Sequence, residues 1–356
     1  MKSVLLIISI LLVACTMNTD KKKKSTKYEW YASGNAPTLY PTLIHKGDFV
    51  FPDKSKLFIP ISYPFATTWG QSVSMYVLNN NEFPAPNSIA ISWWSLIENQ
   101  FYSVEATLPE EKIDSLLAQQ DEELNEQKYN FIIAGMAPYG GLAIWLSGGR
   151  ITTEVAWLQA EPIDVQMKDF LPSSNLTRNE YLERFLEGCK DANGNFQKNG
   201  LPDRMLFNRY MQKFNYRISP KFENDSVVFR NIALYYFNGE FNTTYSGEHT
   251  SNVMRAKPYK IVLSWSKGNK QYEGYFWTDE KKIIETFSLF YDNDGKKEGD
   301  LVIEVGKSDE EFKFFLQDDL TVVEIPVDDW QIMVFKNRLE SYRSPNYNKP
   351  PGGWRN

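Results

Sequence analysis

The sequence predicts an α+β protein, predominantly antiparallel β in the form of a sheet or sandwich, with a few peripheral helices. Three observations carry this. Short runs of β-branched and aromatic residues recur along the chain, separated by Asn, Pro and Gly clusters. From Lys56 to Thr107 four such runs follow one another with no helix between them, which favours antiparallel neighbours. The chain is also 15% aromatic, with 20 Tyr, 23 Phe and 10 Trp in 356 residues, and such rings supply cores for stacked sheets.

The chain opens with MKSVLLIISILLVAC. Lys2 precedes an apolar run, Val4 to Leu12, interrupted only by Ser9. The run is too short to cross a bilayer and reads as a secretory signal over residues 1–14. Its end, Leu12-Val13-Ala14-Cys15, resembles the lipobox of bacterial lipoproteins. That resemblance implies cleavage before Cys15 and its lipidation by acyl chains such as palmitate. Two or more chains anchor a protein stably where one does not. Residues 15–27 are polar and include Lys21, Lys22, Lys23 and Lys24, so they read as a disordered tether. Thr16 is not an acidic retention signal, and the tether has no acidic cluster resembling a surface-export signal. The expected location is therefore the outer membrane, on its periplasmic face.

Residues 28–170 read as a β-rich lobe. Strands are expected at Lys56–Ser62, Ser72–Leu78, Ser88–Trp94 and Phe101–Thr107. Leu108–Gln119 breaks the pattern, with Pro109 suited to a helix start and Ile113, Leu116 and Leu117 on one face. Strands resume at Tyr129–Ala134, Leu142–Ser147 and Ile151–Leu158. Residues 171–216 read as a helical connection. Thr177 and Glu180 form a capping box before Tyr181, Leu182, Phe185 and Leu186, and Gly188 ends that helix. A second helix is expected from Pro202 to Lys213. Residues 217–338 read as an α+β C-terminal lobe, with strands at Ser226–Arg230, Ile232–Phe237, Lys260–Trp265, Gln271–Trp277, Leu301–Val305 and Trp330–Phe335. Within it Thr278 is the expected cap of a helix carrying Ile283, Ile284 and Phe287 inward. Residues 339–356 read as a flexible tail.

The most glycine-dense stretch is GMAPYGGLAIWLSGGR, Gly135 to Arg150. A phosphate loop needs Lys and Ser or Thr after its last glycine. Gly141 and Leu142 stand there instead, so the glycines read as turns, with a hairpin through Pro138–Gly141. Two histidines, His45 and His249, and two cysteines, Cys15 and Cys189, give no zinc spacing. Cys189 reads as a small buried residue. Asp292–Gly295 and Asp191–Asn195 fail the calcium-loop register, with an irregular calcium site left as an alternative. No Gly-x-Ser-x-Gly elbow supports a triad. Glycosidase chemistry stays open, since its two carboxylates need not be neighbours in sequence. Trp93 and Trp94 are adjacent on a strand, so their rings point to opposite faces. One enters the core, and the other either stacks on a sugar ring or fills a second core.

With these stretches placed, a family resemblance follows. Tyr28–Pro41, Trp69-Gly70, Ser92–Ser103, and Tyr129–Leu158 with its APYGGLAIWLSG core resemble, in that order, the bacterial domain-of-unknown-function family 2931. Tyr272–Glu280 through Leu301–Glu304 is similar to the C-terminal part of Bacteroidetes members. Members are predicted lipoproteins, which agrees with Cys15, and the family brings no catalytic residues. Some relatives are similar to immunity lipoproteins that neutralise secreted effectors.

The formal net charge is −6, and removing Lys2 with the leader makes it one more negative. That balance excludes a basic nucleic-acid surface. The sequence therefore leads to a membrane-anchored, non-enzymatic envelope protein without a cofactor, whose partner is a protein or a glycan. An immunity protein, a glycan-binding protein and an envelope hydrolase are the alternatives.

Overall fold

The structure is a computed structural model. It describes residues 26–343 apart from 62–66, 74, 79, 123–124, 248–250, 292–297, 309 and 337, and for 338–343 the backbone only. Among the described residues strands make up 48% and helices 18%, mostly in antiparallel sheets, which makes the fold α+β and β-rich.

One ten-stranded sheet runs through both lobes. Its order is Tyr31–Asn35, Phe131–Met136, Gly141–Ser147, Ile151–Gln159, Phe241–Tyr245, Val227–Tyr236, Pro258–Lys267, Lys270–Thr278, Val327–Lys336 and Arg338–Arg343. Two five-stranded sheets pack against it. The first is Glu161–Ile163, Gln100–Thr107, Ser88–Ser95, Thr42–Val50 and Lys56–Phe58. The second is Val253–Arg255, Phe214–Phe222, Glu298–Val305, Phe312–Gln317 and Val322–Glu324. Alternation along each strand decides what lies between the layers. Ile132, Ala134, Ile144 and Leu146 meet Ile89, Ile91 and Trp93 in one core. Ile232, Leu234, Leu263 and Phe276 meet Ile218, Leu301 and Phe314 in the other, closed by Ile283 and Phe287.

Pairing register carries one face of the long sheet across the lobe boundary. Ser147 pairs with Thr152, Thr152 with Phe241, Phe241 with Tyr235, Tyr235 with Lys260, and Lys260 with Trp277. Paired residues share a face, so this row lies opposite both cores.

Within this predominantly antiparallel arrangement two strand pairings are parallel, Tyr31–Asn35 with Phe131–Met136 and Phe214–Phe222 with Glu298–Val305. Long connections between the partners make this possible. Several other expectations need correction. The described residues of the expected strand Ser72–Leu78 form none. Val73 N donates to the Ser33 hydroxyl and Leu78 N to the Asn81 side chain, rather than to a ladder. The run from Lys56 stops at Phe58, just before Pro60, which has no amide to donate. Lys190–Asn199 is a helix, so Asp191–Asn195 is not an oxygen-lined turn. Asp279 Oδ1, not Thr278, caps the helix Glu280–Tyr291 by accepting from Lys282 N at 2.8 Å. Thr278 Oγ1 instead donates to Pro258 O. The expected tail begins later than residue 339, because Arg338–Arg343 pairs with Val327–Lys336. Cys189 is half-buried between two helices rather than fully buried. Residues 1–25, with Cys15, lie outside the described residues, as do His249, Asp292–Gly295 and 344–356.

Candidate functional site: an aromatic groove between the lobes

The groove is built from short pieces that only the fold brings together. Asn35 ends the first strand of the long sheet and is fully buried. Its Nδ2 reaches Thr67 Oγ1 at 3.1 Å, Thr68 O at 3.0 Å and Gln71 O at 2.8 Å, and its Oδ1 accepts from Gly70 N. One side chain thus fixes the loop Thr67–Gln71. Gly70 (φ 82°) packs on Gly239 (φ 85°) of the opposite lobe. A Cβ at Gly70 would lie 2.0 Å from Gly239 O, so both the left-handed backbone and the close approach require glycine. Trp145 ties the same turn by donating from Nε1 to Asn238 O at 3.0 Å.

On this clasp stands a continuous series of rings. Trp69 meets Trp145 edge-on at 4.6 Å and Phe207 at 5.6 Å. Phe207 meets Tyr40 and Tyr210, Tyr210 stacks on Phe237 at 5.0 Å, and Phe237 meets Tyr259. The rings enclose a cavity of about 390 Å³, with Gln71, Lys260 and Glu280 among its polar lining. Burial and the Glu280 charge push the Tyr40 hydroxyl up to about 12, and burial with Glu280 raises Tyr210 as well. A second compartment of about 350 Å³ adjoins it, sharing Thr68, Trp69, Gln71, Tyr235 and Tyr259. Ser147, Gly148, Gly149 and Thr152 line this second part. Trp69 Nε1 is buried with no hydrogen-bond partner among the described residues.

The groove opens onto the outward face of the long sheet. There the Lys260 ammonium lies 4.9, 5.3 and 5.6 Å from the ring centres of Tyr235, Tyr275 and Trp277. Desolvation lowers the Lys260 pKa despite Glu273 nearby. Tyr275 and Trp277 stand side by side with planes 18° apart and centres 6.2 Å apart, and Tyr235 lies 4.6 Å from Phe241. All four rings are half-buried. The result is a strip of flat apolar rings edged by polar groups, a surface suited to an extended ligand with both apolar and hydroxyl-bearing faces.

The carboxylates are arranged for structure. Glu240, in the second compartment, accepts from Lys213 at 2.8 Å and from Glu154 N and Asn238, so both its oxygens are engaged. Glu98 holds the glycine-rich turn. Its two oxygens accept Tyr139 N at 3.0 and 3.1 Å, the Tyr102 hydroxyl at 2.8 Å and the Ser95 hydroxyl at 2.6 Å. The amide of the turn Pro138–Gly140 therefore faces the protein's own carboxylate. Burial and Glu98 together drive the Tyr102 pKa far upward.

Trp93 and Trp94 are both fully buried. Trp93 lies in the core of the first lobe. Trp94 is sealed under the helical segment, stacked on Phe101 at 5.2 Å and near Tyr181 at 5.7 Å. The sugar-stacking role is therefore corrected for this pair, and the second ring fills a second core. His45 also packs on Phe101 and Phe170, and desolvation lowers its pKa. Sequence reasoning missed Asn35, Tyr235, Tyr259 and the turn at Asn238-Gly239. An Asn-Gly pair between aromatic strands is a hairpin signal that was available for the last of these. Among the described residues no group of three or more His, Cys, Asp or Glu is placed to hold a metal ion. No described helix is long and apolar enough to cross a membrane.

Comparison with family models decides the relationship. The model described as "Protein of unknown function (DUF2931)" matches residues 16–203, which is more than half of the chain. The protein belongs to this family. The match covers Asn35, Tyr40 and the Trp69 loop, while Phe207, Tyr235, Tyr259 and Glu280 lie beyond it, so the groove has one wall from each side of the boundary. No curated protein and no solved structure matches the chain.

Proposed function

We propose that this is a membrane-anchored envelope lipoprotein, non-enzymatic, whose groove and adjoining sheet face bind a macromolecule, with a glycan chain as the ligand class. The supporting observation is the side-by-side arrangement of half-buried Tyr275 and Trp277, with planes 18° apart, continuing into the two-compartment groove. Flat rings cover the apolar face of a sugar, and Gln71, Thr152 and the unused Trp69 Nε1 supply bonds to hydroxyls. The anchor rests on the lipobox ending in Cys15. On this reading Cys15 carries the acyl chains, and the protein sits on the periplasmic face of the outer membrane. A hydrolase needs two uncommitted carboxylates flanking the bond it cleaves, and the bonds Glu240 already makes argue against that use.

The test is a panel of envelope and dietary-type polysaccharides and their oligomers. They are titrated into Cys15→Ser protein and into the same protein carrying Tyr235→Ala and Trp277→Ala. Saturable binding that the double variant loses, with no product released from the glycan, supports the proposal. Sugar release would make the protein a hydrolase. Failure of every glycan, with capture of one stoichiometric protein instead, would support the immunity reading.

A further inference from the structure

The segment after the Trp69 loop leaves an apolar surface uncovered. Val73 is 41% exposed, Met75 49%, Tyr76 45%, Val77 72% and Leu78 46%. Tyr76 stacks on Phe58, itself 40% exposed, at 6.0 Å. Clustered exposed apolar side chains of this kind mark an interaction surface. The five residues fall within six positions of sequence, and no ladder among the described residues holds them.

The place where the chain enters the fold identifies what covers this surface. Tyr28–Glu29 pairs with Glu82–Phe83. Trp30 N donates to Asn81 O, and the Asn81 side chain accepts from Leu78 N and donates to Leu78 O. A small crevice is lined jointly by Trp30, Phe83, Phe58 and Tyr76. The first described strand therefore lies beside the apolar segment. Only Thr16–Lys27 separates them from Cys15, and this stretch carries Lys21 to Lys24. Twelve residues reach at most ~40 Å when extended. An anchor at Cys15 holds this end of the first lobe close to the lipid surface, while lysines in the tether favour anionic head groups.

We infer that Val73, Met75, Tyr76, Val77 and Leu78 form a membrane-apposed patch that dips into the anionic bilayer to which Cys15 tethers the chain. The inference builds on the anchor proposed above. Apolar side chains with a tyrosine at their centre suit the head-group boundary, where ring and hydroxyl meet different media. Contact there adds a second membrane attachment to the acyl chains and fixes which side of the protein faces the lipid.

The test places an environment-sensitive fluorophore on Val77→Cys in lipidated, full-length mature protein with Cys189→Ser. The protein is reconstituted in phosphatidylethanolamine–phosphatidylglycerol vesicles carrying chain-brominated lipid. A control label sits at Leu320→Cys, in a turn of the second lobe where Leu320 is 96% exposed. Quenching at Val77 but not at Leu320, removed by adding Met75→Asp and Leu78→Asp, supports the patch. Absence of quenching at Val77 in protein that still floats with the vesicles overturns the patch and leaves the anchor standing. If the chain proves unlipidated, the anchor reading falls. The patch is then decided by Cys15→Ser protein binding the same vesicles, with roughly a tenfold or greater affinity loss expected from Val77→Asp with Leu78→Asp. No vesicle binding by that protein, or a dimer that the same pair of substitutions disrupts, overturns it.

Discussion

Glu98 lies where the chain most resembles an anion cradle, and it is itself the anion. Gly140 (φ 79°) and Tyr139 (φ 60°) shape the turn so that Tyr139 N points at the carboxylate. Glu98→Ala leaves that amide and the Tyr102 hydroxyl without their partner, and the expected loss is about 2 kcal/mol in urea unfolding. Lys257 presents a different residue-scale case. It is 1% exposed, donates to Arg209 O at 2.7 Å and lies over the Phe214 ring. Desolvation, with Arg209 nearby, lowers its pKa to about 8. The unfolded chain binds the proton up to its ordinary value near 10.5, so between these values the unfolded state holds more protons than the folded one. Stability contributed by this residue therefore rises with pH across that window, by up to roughly 1.4 kcal/mol per pH unit. Subtracting the curve of Lys257→Met from that of the parent isolates the slope. A difference that is flat from pH 8 to 10 would contradict the buried, lowered lysine.

At the scale of elements, local signals were legible where one short stretch contains its own instructions. The capping box at Thr177 and Glu180 forms as its spacing requires, Thr177 N donating to Glu180 Oε2 at 2.8 Å. Thr177→Ala should cost about 1 kcal/mol and raise amide exchange along Arg178–Gly188, which covers Trp94, while leaving the two sandwich cores protected. The hairpin of Phe131–Met136 with Gly141–Ser147 was equally clear, because apolar runs flank a Pro-and-Gly turn. Thr42–Val50 was not legible as a strand. Lys46, Gly47 and Asp48 break its apolar alternation, and a register shift between Ile44 and Lys46 absorbs the irregularity. Ser72–Leu78 erred in the opposite direction. Its pattern suits a strand, but a strand exists only where a ladder partner is available. The clasp between Gly70 and Gly239 links residues far apart in sequence, and either glycine alone looks like an ordinary turn. Gly70→Ala should cost roughly 1–3 kcal/mol for the left-handed backbone alone. It should also push the two lobes apart at the groove, read as a fall in ligand affinity larger than the fall in stability would produce.

Across the whole molecule, the long sheet makes the two lobes one structural unit on the groove face. Ile151 and Thr152 of the first lobe pair with Asn242 and Phe241 of the second, and Lys213 bridges Glu154 and Glu240 across the same seam at 3.1 and 2.8 Å. The groove was the least legible feature for this reason. Its walls draw on Tyr40, Trp69, Phe207, Tyr259 and Glu280, and each is unremarkable in its local context. The tryptophans most visible in the sequence, Trp93 and Trp94, are instead interior. The central claim is that the groove face is the binding surface. It is tested most directly by affinity purification of the tagged full-length protein from detergent extracts of the cells that make it, beside the variant carrying Tyr235→Ala and Tyr259→Ala. The expected result is a stoichiometric ligand with the parent, its loss with the variant, and melting temperatures that agree within a few degrees. A ligand retained equally by both proteins would place binding elsewhere and contradict the account.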